Sequence, residues 1–119
     1  IDPDEVSKSA LESEDKVDYE NIFRLASAGD AYATELRDRS IRIWSAAAIN
    51  LIHAYDPEIL ILGGGIMRSP EPIVSMMQQY INDHSWSGWG KVRVRPALLG
   101  DGAALMGMSH FAAQCIKAI

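Results

Sequence analysis

The stretch Asp56-Pro57-Glu58-Ile59-Leu60-Ile61-Leu62-Gly63-Gly64-Gly65 sets the frame for the whole chain. Pro57 lacks an amide hydrogen and has a fixed φ, so a helix arriving from the N-terminal side has to stop there. Ile59 to Leu62 are short, β-rich and apolar at every position, the pattern of a parallel strand covered by helices on both faces. Three glycines end the run. Glycine accepts positive φ angles, and without a Cβ it lets a ribose or phosphate approach the main chain. A turn that follows a buried strand and precedes a helix is also where open α/β sheets bind ligands. The same spacing equally suits a tight strand-to-helix turn that binds nothing. No Gly-Lys-Ser/Thr follows, so the turn is not a Walker loop. Ile66, Met67 and Arg68 stand where a dinucleotide fingerprint needs its third glycine.

Upstream, Asp30 occupies an N-cap position, and Leu36, Ile43, Ala47, Leu51 and Ala54 recur at helical spacing, which predicts a long helix over 31–55. Its second half, Trp44 to Tyr55, is nearly all apolar and predicts burial on more than one side, as the central helix of the domain. Tyr19, Ile22, Phe23, Leu25 and Ala26, with Gly29 just beyond, predict a helix over 18–28. Residues 1–17 are polar with scattered apolar positions and are expected to pack loosely.

Downstream, Pro70 and Pro72 start a predicted helix over 71–83 with Ile73, Met76, Met77, Tyr80 and Ile81 on one face. A loop over 85–90 carries Trp86 and Trp89. Val92, Val94 and Leu98 then alternate with Arg93 and Arg95 as a strand with one wet face. Gly100 to Gly102 turn the chain into a last helix over 103–118. Alternating helices and strands make an α/β layered fold. Two strands form a thin sheet, so the chain is expected to be a single domain, 1–119, within something longer.

Apolar residues make up 48% of the 119 residues and charged residues 23%, ordinary globular proportions. A net charge of -5 opposes a nucleic-acid backbone, so no direct nucleic-acid contact is expected from this segment. Its one cysteine, Cys115, excludes an intrachain disulfide and a cysteine-built zinc site, and suits a cytoplasmic setting. No apolar run reaches membrane-spanning length.

Three blocks taken together resemble the ROK family of bacterial repressors, open reading frames and sugar kinases. The first is the stretch from Asp56 to Gly65. Ala28-Gly29-Asp30, with Ala33 following, is similar to the family's helix junction. Leu99-Gly100-Asp101-Gly102-Ala103-Ala104-Leu105-Met106-Gly107 resembles its C-terminal segment, with Ala104 where glycine is usual and Met108 and Ser109 where alanine is usual. The resemblance covers residues 28–110 and implies the C-terminal lobe of an actin-like ATPase (ribonuclease H-like) fold. It implies that Gly63, Gly64, Gly65 and Ile66 are the adenosine-side positions. ATP with Mg2+ would be the co-substrate, a sugar the other small-molecule partner, and a homodimer the assembly. The catalytic Asp, the phosphate loop and the zinc site of many members have no counterpart here, so no catalytic or metal residue is expected in this segment, and the segment alone is expected to be inactive.

The remaining polar and aromatic residues take plainer roles. Asp101 suits a helix N-cap better than a metal or ribose ligand. Arg93 and Arg95 suit a solvated strand face. His53, His84 and His110 lack two-histidine spacing on a helix face, and His53 is expected to be packed and hydrogen-bonded. Trp44 is expected in the core, Trp86 and Trp89 against a loop or a dimer contact, and Cys115 buried.

The function expected is that of an ATP-dependent kinase acting on a hexose or N-acetylhexosamine hydroxyl. The alternatives are the effector-sensing half of a ROK-type repressor without kinase activity, and an interaction domain with no nucleotide role. Three retained glycines favour the kinase, because a lobe that need not hold ATP has no physical reason to leave that turn bare. Gly64→Val is the substitution expected to weaken ATP binding while sparing the sugar.

Overall fold

A computed structural model describes residues 9–88 and 90–117, without the side chain of Asp101. Residues 1–8 and Trp89 therefore lie outside the described part. Asp18 opens helix α1 (Tyr19–Ser27), its carboxylate accepting the Asn21 amide at 3.0 Å. Gly29, at φ +93°, reverses the chain, and Asp30 caps helix α2 (Ala31–Tyr55) by accepting the Ala33 amide at 2.9 Å. The Asp30 carboxylate also accepts the Ser9 hydroxyl at 2.9 Å and the Ala10 amide at 2.8 Å. Those bonds seat Leu11, in a 3-10 turn over Ala10–Ser13, among Ile22, Leu25, Ala26 and Ala33.

Helix α2 ends at Asp56 in a left-handed conformation, φ +45°, one residue before Pro57. Strand β1 (Ile59–Leu62) follows, then helix α3 (Ile73–His84), then strand β2 (Arg93–Pro96), and finally helix α4 (Ala103–Lys117). The strands pair in parallel, with Ile59 opposite Arg93 and Leu62 opposite Pro96. The main core gathers Ile41, Ala48 and Ile52 of α2, Ile73, Met77 and Ile81 of α3, and Val92 and Val94 of the β2 segment. Ser45 is buried in the same seam and donates its hydroxyl to the Ile41 carbonyl at 2.7 Å. Gln78 of α3 reaches the free edge of β2: its amide nitrogen donates to the Val92 carbonyl at 2.9 Å and its oxygen accepts the Val94 amide at 2.8 Å. Two buried backbone groups that lack a further strand are thereby paired.

Four expectations need correcting. Helix α2 is covered on one side only, for Ile43, Leu51 and Tyr55 are exposed. Strand β1 is likewise one-sided, with Leu60 and Leu62 half-buried and Ile59 and Ile61 bare. Leu98 does not continue β2, because the strand stops at Pro96 and the pairing with β1 ends with the Ala97 amide on the Leu62 carbonyl. Cys115 is exposed, along with every described side chain of α4. In each case the apolar residue is present but its cover is not among the described residues.

Candidate functional site

Because β1 and β2 run parallel, their C-terminal ends open on the same edge of the sheet, and the segments leaving them lie side by side. The Ala97 amide donates to the Leu62 carbonyl at 2.8 Å, extending the pairing one step past the strands. Gly63, Gly64 and Gly65 leave β1 at this edge and are exposed. Gly64 has φ +102° and ψ 170°, a region essentially closed to residues with a Cβ. Gly65 begins a 3-10 turn to Arg68, tightened by a bond from the Met67 amide to the Gly64 carbonyl at 3.0 Å. Ile66 and Met67 are half-buried against the main core and hold the turn from beneath. A second 3-10 turn, Gly100–Gly102, lies against the first.

The triplet leads first into a 3-10 turn of four residues, and the helix expected over 71–83 follows it. Helix α3 starts only at Ile73, after Pro70 and Pro72. What the glycines offer is bare main chain.

The three glycines are not equivalent. A Cβ on Gly63 would stand 3.9 Å from the Ala97 Cβ, an ordinary contact. Gly64 needs glycine for its φ. At Gly65 φ lies outside the positive range, and a Cβ would meet nothing within 4 Å. Nothing described in the chain itself demands glycine at position 65.

Two grooves of about 250 Å³ lie elsewhere. One, at the opposite ends of the strands, is lined by Pro57, Glu58, Ser87, Lys91, Val92 and Arg93. The other runs between α2 and α3, past Asp38, Arg42, Gln79, Tyr80 and Asp83. The glycine turn belongs to neither and forms an open wall.

Of the other candidates, Arg93 and Arg95 are exposed on the sheet face they share with Ile59 and Ile61. His53 accepts the Trp86 amide at Nε2, 3.1 Å, but it is exposed, where packing was expected. Trp44 is half-buried and meets Tyr19 edge-on at 5.1 Å, while Trp86 is exposed. Among the described residues no group of three or more His, Cys, Asp or Glu is placed to hold a metal. Nor is any described helix long and apolar enough to cross a membrane. The Asp101 cap and Trp89 fall outside what is described. The Asp30 carboxyl is held below its ordinary range, first by the Ala33 amide and then by that of Ala10, and Asp18 similarly by Asn21 and Lys16. Both are helix caps. Sequence reasoning missed the segment from Ala97 to Gly102 as a neighbour of the triplet. Alternation assigned Leu98 to a strand interior, and only the register of the two strands shows otherwise.

The model of the ROK family matches residues 5–115. The sequence is 32% identical over 96 residues to a glucokinase from Thermotoga maritima, covering 80% of this chain and 30% of the glucokinase. It is 28% identical over 112 residues to the bifunctional enzyme NanE/NanK of Brucella melitensis biotype 1, covering 91% of this chain and 20% of that enzyme. The fold is similar to that of a Cytophaga hutchinsonii protein assigned as a sugar kinase, with a TM-score of 0.76 and 22% identity, over 91% of this chain and 36% of that one. Helices with a small parallel sheet make this the α/β fold of part of an actin-like ATPase lobe, and the chain spans well under half the length of the relatives it matches.

Proposed function

The chain belongs to the ROK family, and from that premise we propose that it is the nucleotide-side part of an ATP-dependent, cytoplasmic sugar kinase, with Gly63, Gly64, Gly65 and Ile66 receiving the adenosine end of ATP. Its substrate class is a hexose or N-acetylhexosamine, and the whole enzyme is a homodimer. The observation that carries this reading is Gly65: exposed, at the C-terminal edge of a parallel strand, and bare for no reason internal to the described chain. A ribose lying against that main chain supplies the reason, since a Cβ would occupy its place.

Each residue then has a task. Gly64 sets the direction of the turn through its φ, Gly65 leaves room, and Ile66 anchors the turn to the core. ATP supplies the transferable γ-phosphoryl group, and magnesium binds with its phosphates. Phosphoryl transfer depends on positioning and charge stabilisation. This segment contributes the positioning of one substrate, and the proton acceptor for the sugar hydroxyl has to come from outside it.

Gly65 is also a better test position than Gly64, because a side chain at φ +102° strains the fold whatever binds there. In the full-length enzyme, Gly65→Val should raise the Kd for ATP at least about tenfold and leave sugar affinity unchanged. Calorimetric titration with a non-hydrolysable ATP analogue measures the first, and tryptophan quenching by the sugar the second. Unaltered nucleotide affinity in a folded Gly65→Val enzyme defeats the assignment.

A further inference from the structure

Leu98 is 98% exposed, the barest large apolar side chain among the described residues. It stands between two points that touch the glycine turn. On one side is Ala97, bonded to the Leu62 carbonyl and 3.9 Å from where a Cβ on Gly63 would be. On the other is the Gly100–Gly102 turn, which lies against Gly65–Arg68. Leu99, beside it, is 53% exposed. Two leucines in water contribute nothing to the core of this chain, and their cost is repaid only when something apolar covers them.

A nucleotide laid on the glycines presents two chemically different parts. Its ribose and phosphates suit bare main chain. Its base is a flat, largely apolar ring that needs an apolar surface within a few ångströms of the ribose, and the leucine pair is a bare apolar surface on the segment that adjoins the triplet. We infer that Leu98 is a specificity-determining contact for the nucleobase, packing its side chain on one face of the ring; the inference rests on the adenosine-side reading of Gly63 to Gly65. An aliphatic side chain recognises ring area, not a hydrogen-bonding edge. A purine therefore gains more from it than a pyrimidine does.

The test uses the full-length enzyme with Leu98→Ser and Leu98→Met, measuring KM for ATP, KM for CTP, sugar KM, kcat, and inhibition by inorganic tripolyphosphate, which has no base. The expected result for Leu98→Ser is a KM for ATP raised about tenfold, a narrowed preference for ATP over CTP, and unchanged kcat, sugar KM and tripolyphosphate inhibition. Leu98→Met, which keeps the apolar area, should stay close to the parent. If the KM for ATP is unchanged in Leu98→Ser while Gly65→Val weakens ATP, the base lies elsewhere and the inference falls, although the glycine reading survives. If neither substitution affects ATP, both fall together. Equal loss of ATP and tripolyphosphate affinity, a fall in kcat, or loss of the folded state makes Leu98 a packing residue of the whole protein and overturns the base contact.

Discussion

Gly64 and Gly65 are adjacent and chemically identical, yet they answer different demands. The first is dictated by φ +102° and the second by nothing described around it, so only the second leaves its glycine to be explained from outside the described chain. Sequence alone cannot separate them, because a glycine letter carries no φ. Asp30 is the opposite case, a residue whose role is legible from its place before an apolar periodic run and is then enlarged by the fold. Its carboxylate serves the Ala33 amide of α2, the Ala10 amide and the Ser9 hydroxyl together. These bonds lower its pKa in the folded state. Its contribution to stability is therefore fully present above the unfolded-state value and is lost as pH falls through the lower folded one, in the region below about pH 4. Asp30→Ala should cost about 1 to 2 kcal/mol at neutral pH. Asp30→Asn keeps an acceptor but not the charge, so its urea midpoint should fall less steeply than the parent's between pH 5 and 3. Parallel midpoint curves for the two proteins would remove Asp30 from the account of acid stability.

At the level of elements, α1, α2, β1, α3, β2 and α4 follow from caps, prolines and periodicity within a residue or two at most ends. Each boundary depends on a local rule, such as the missing amide of Pro57 or the carboxylate of Asp18. Burial was less legible. The apolar pattern of Ile59 and Ile61 states what an apolar environment would favour, not whether one is present, and here both side chains lie in water. The edge of β2 shows a device that no pattern announces. Gln78 is a polar residue of α3, and its pairing with Val92 and Val94 depends on where α3 crosses the sheet. Gln78→Leu keeps the size and removes both partners, leaving the Val94 amide unsatisfied beside a fully buried side chain. A loss of about 1 to 3 kcal/mol in unfolding free energy is expected, with the Val94 amide among those whose hydrogen exchange accelerates most. Unchanged stability would mean that water replaces the glutamine at no cost.

For the whole molecule, the radius of gyration is 18.2 Å and the principal extents are 64 × 36 × 18 Å. A compact chain of this length is expected near 13.5 Å, an approximate scaling value. The excess goes with α4, which carries Leu105, Met106, Met108, Phe111 and Ile116 exposed and has no buried side chain among its described residues. A helix of 15 residues is marginal in water without tertiary packing, because nucleation is costly and propagation near neutral. The bare faces of α2 and β1 present the same deficit. Since the chain spans 30% of the glucokinase it resembles, there is ample further chain in such a protein to supply cover. The 119-residue chain by itself should therefore exchange the α4 amides within seconds at neutral pH while Ile52, Ile81 and Val94 stay protected for far longer, and in the full-length protein α4 should join the protected set. Hydrogen-exchange mass spectrometry on both proteins reads this directly. Protection of α4 in the short chain at low concentration would show that its apolar face finds cover within these residues, and the one-sided architecture would then have to be abandoned.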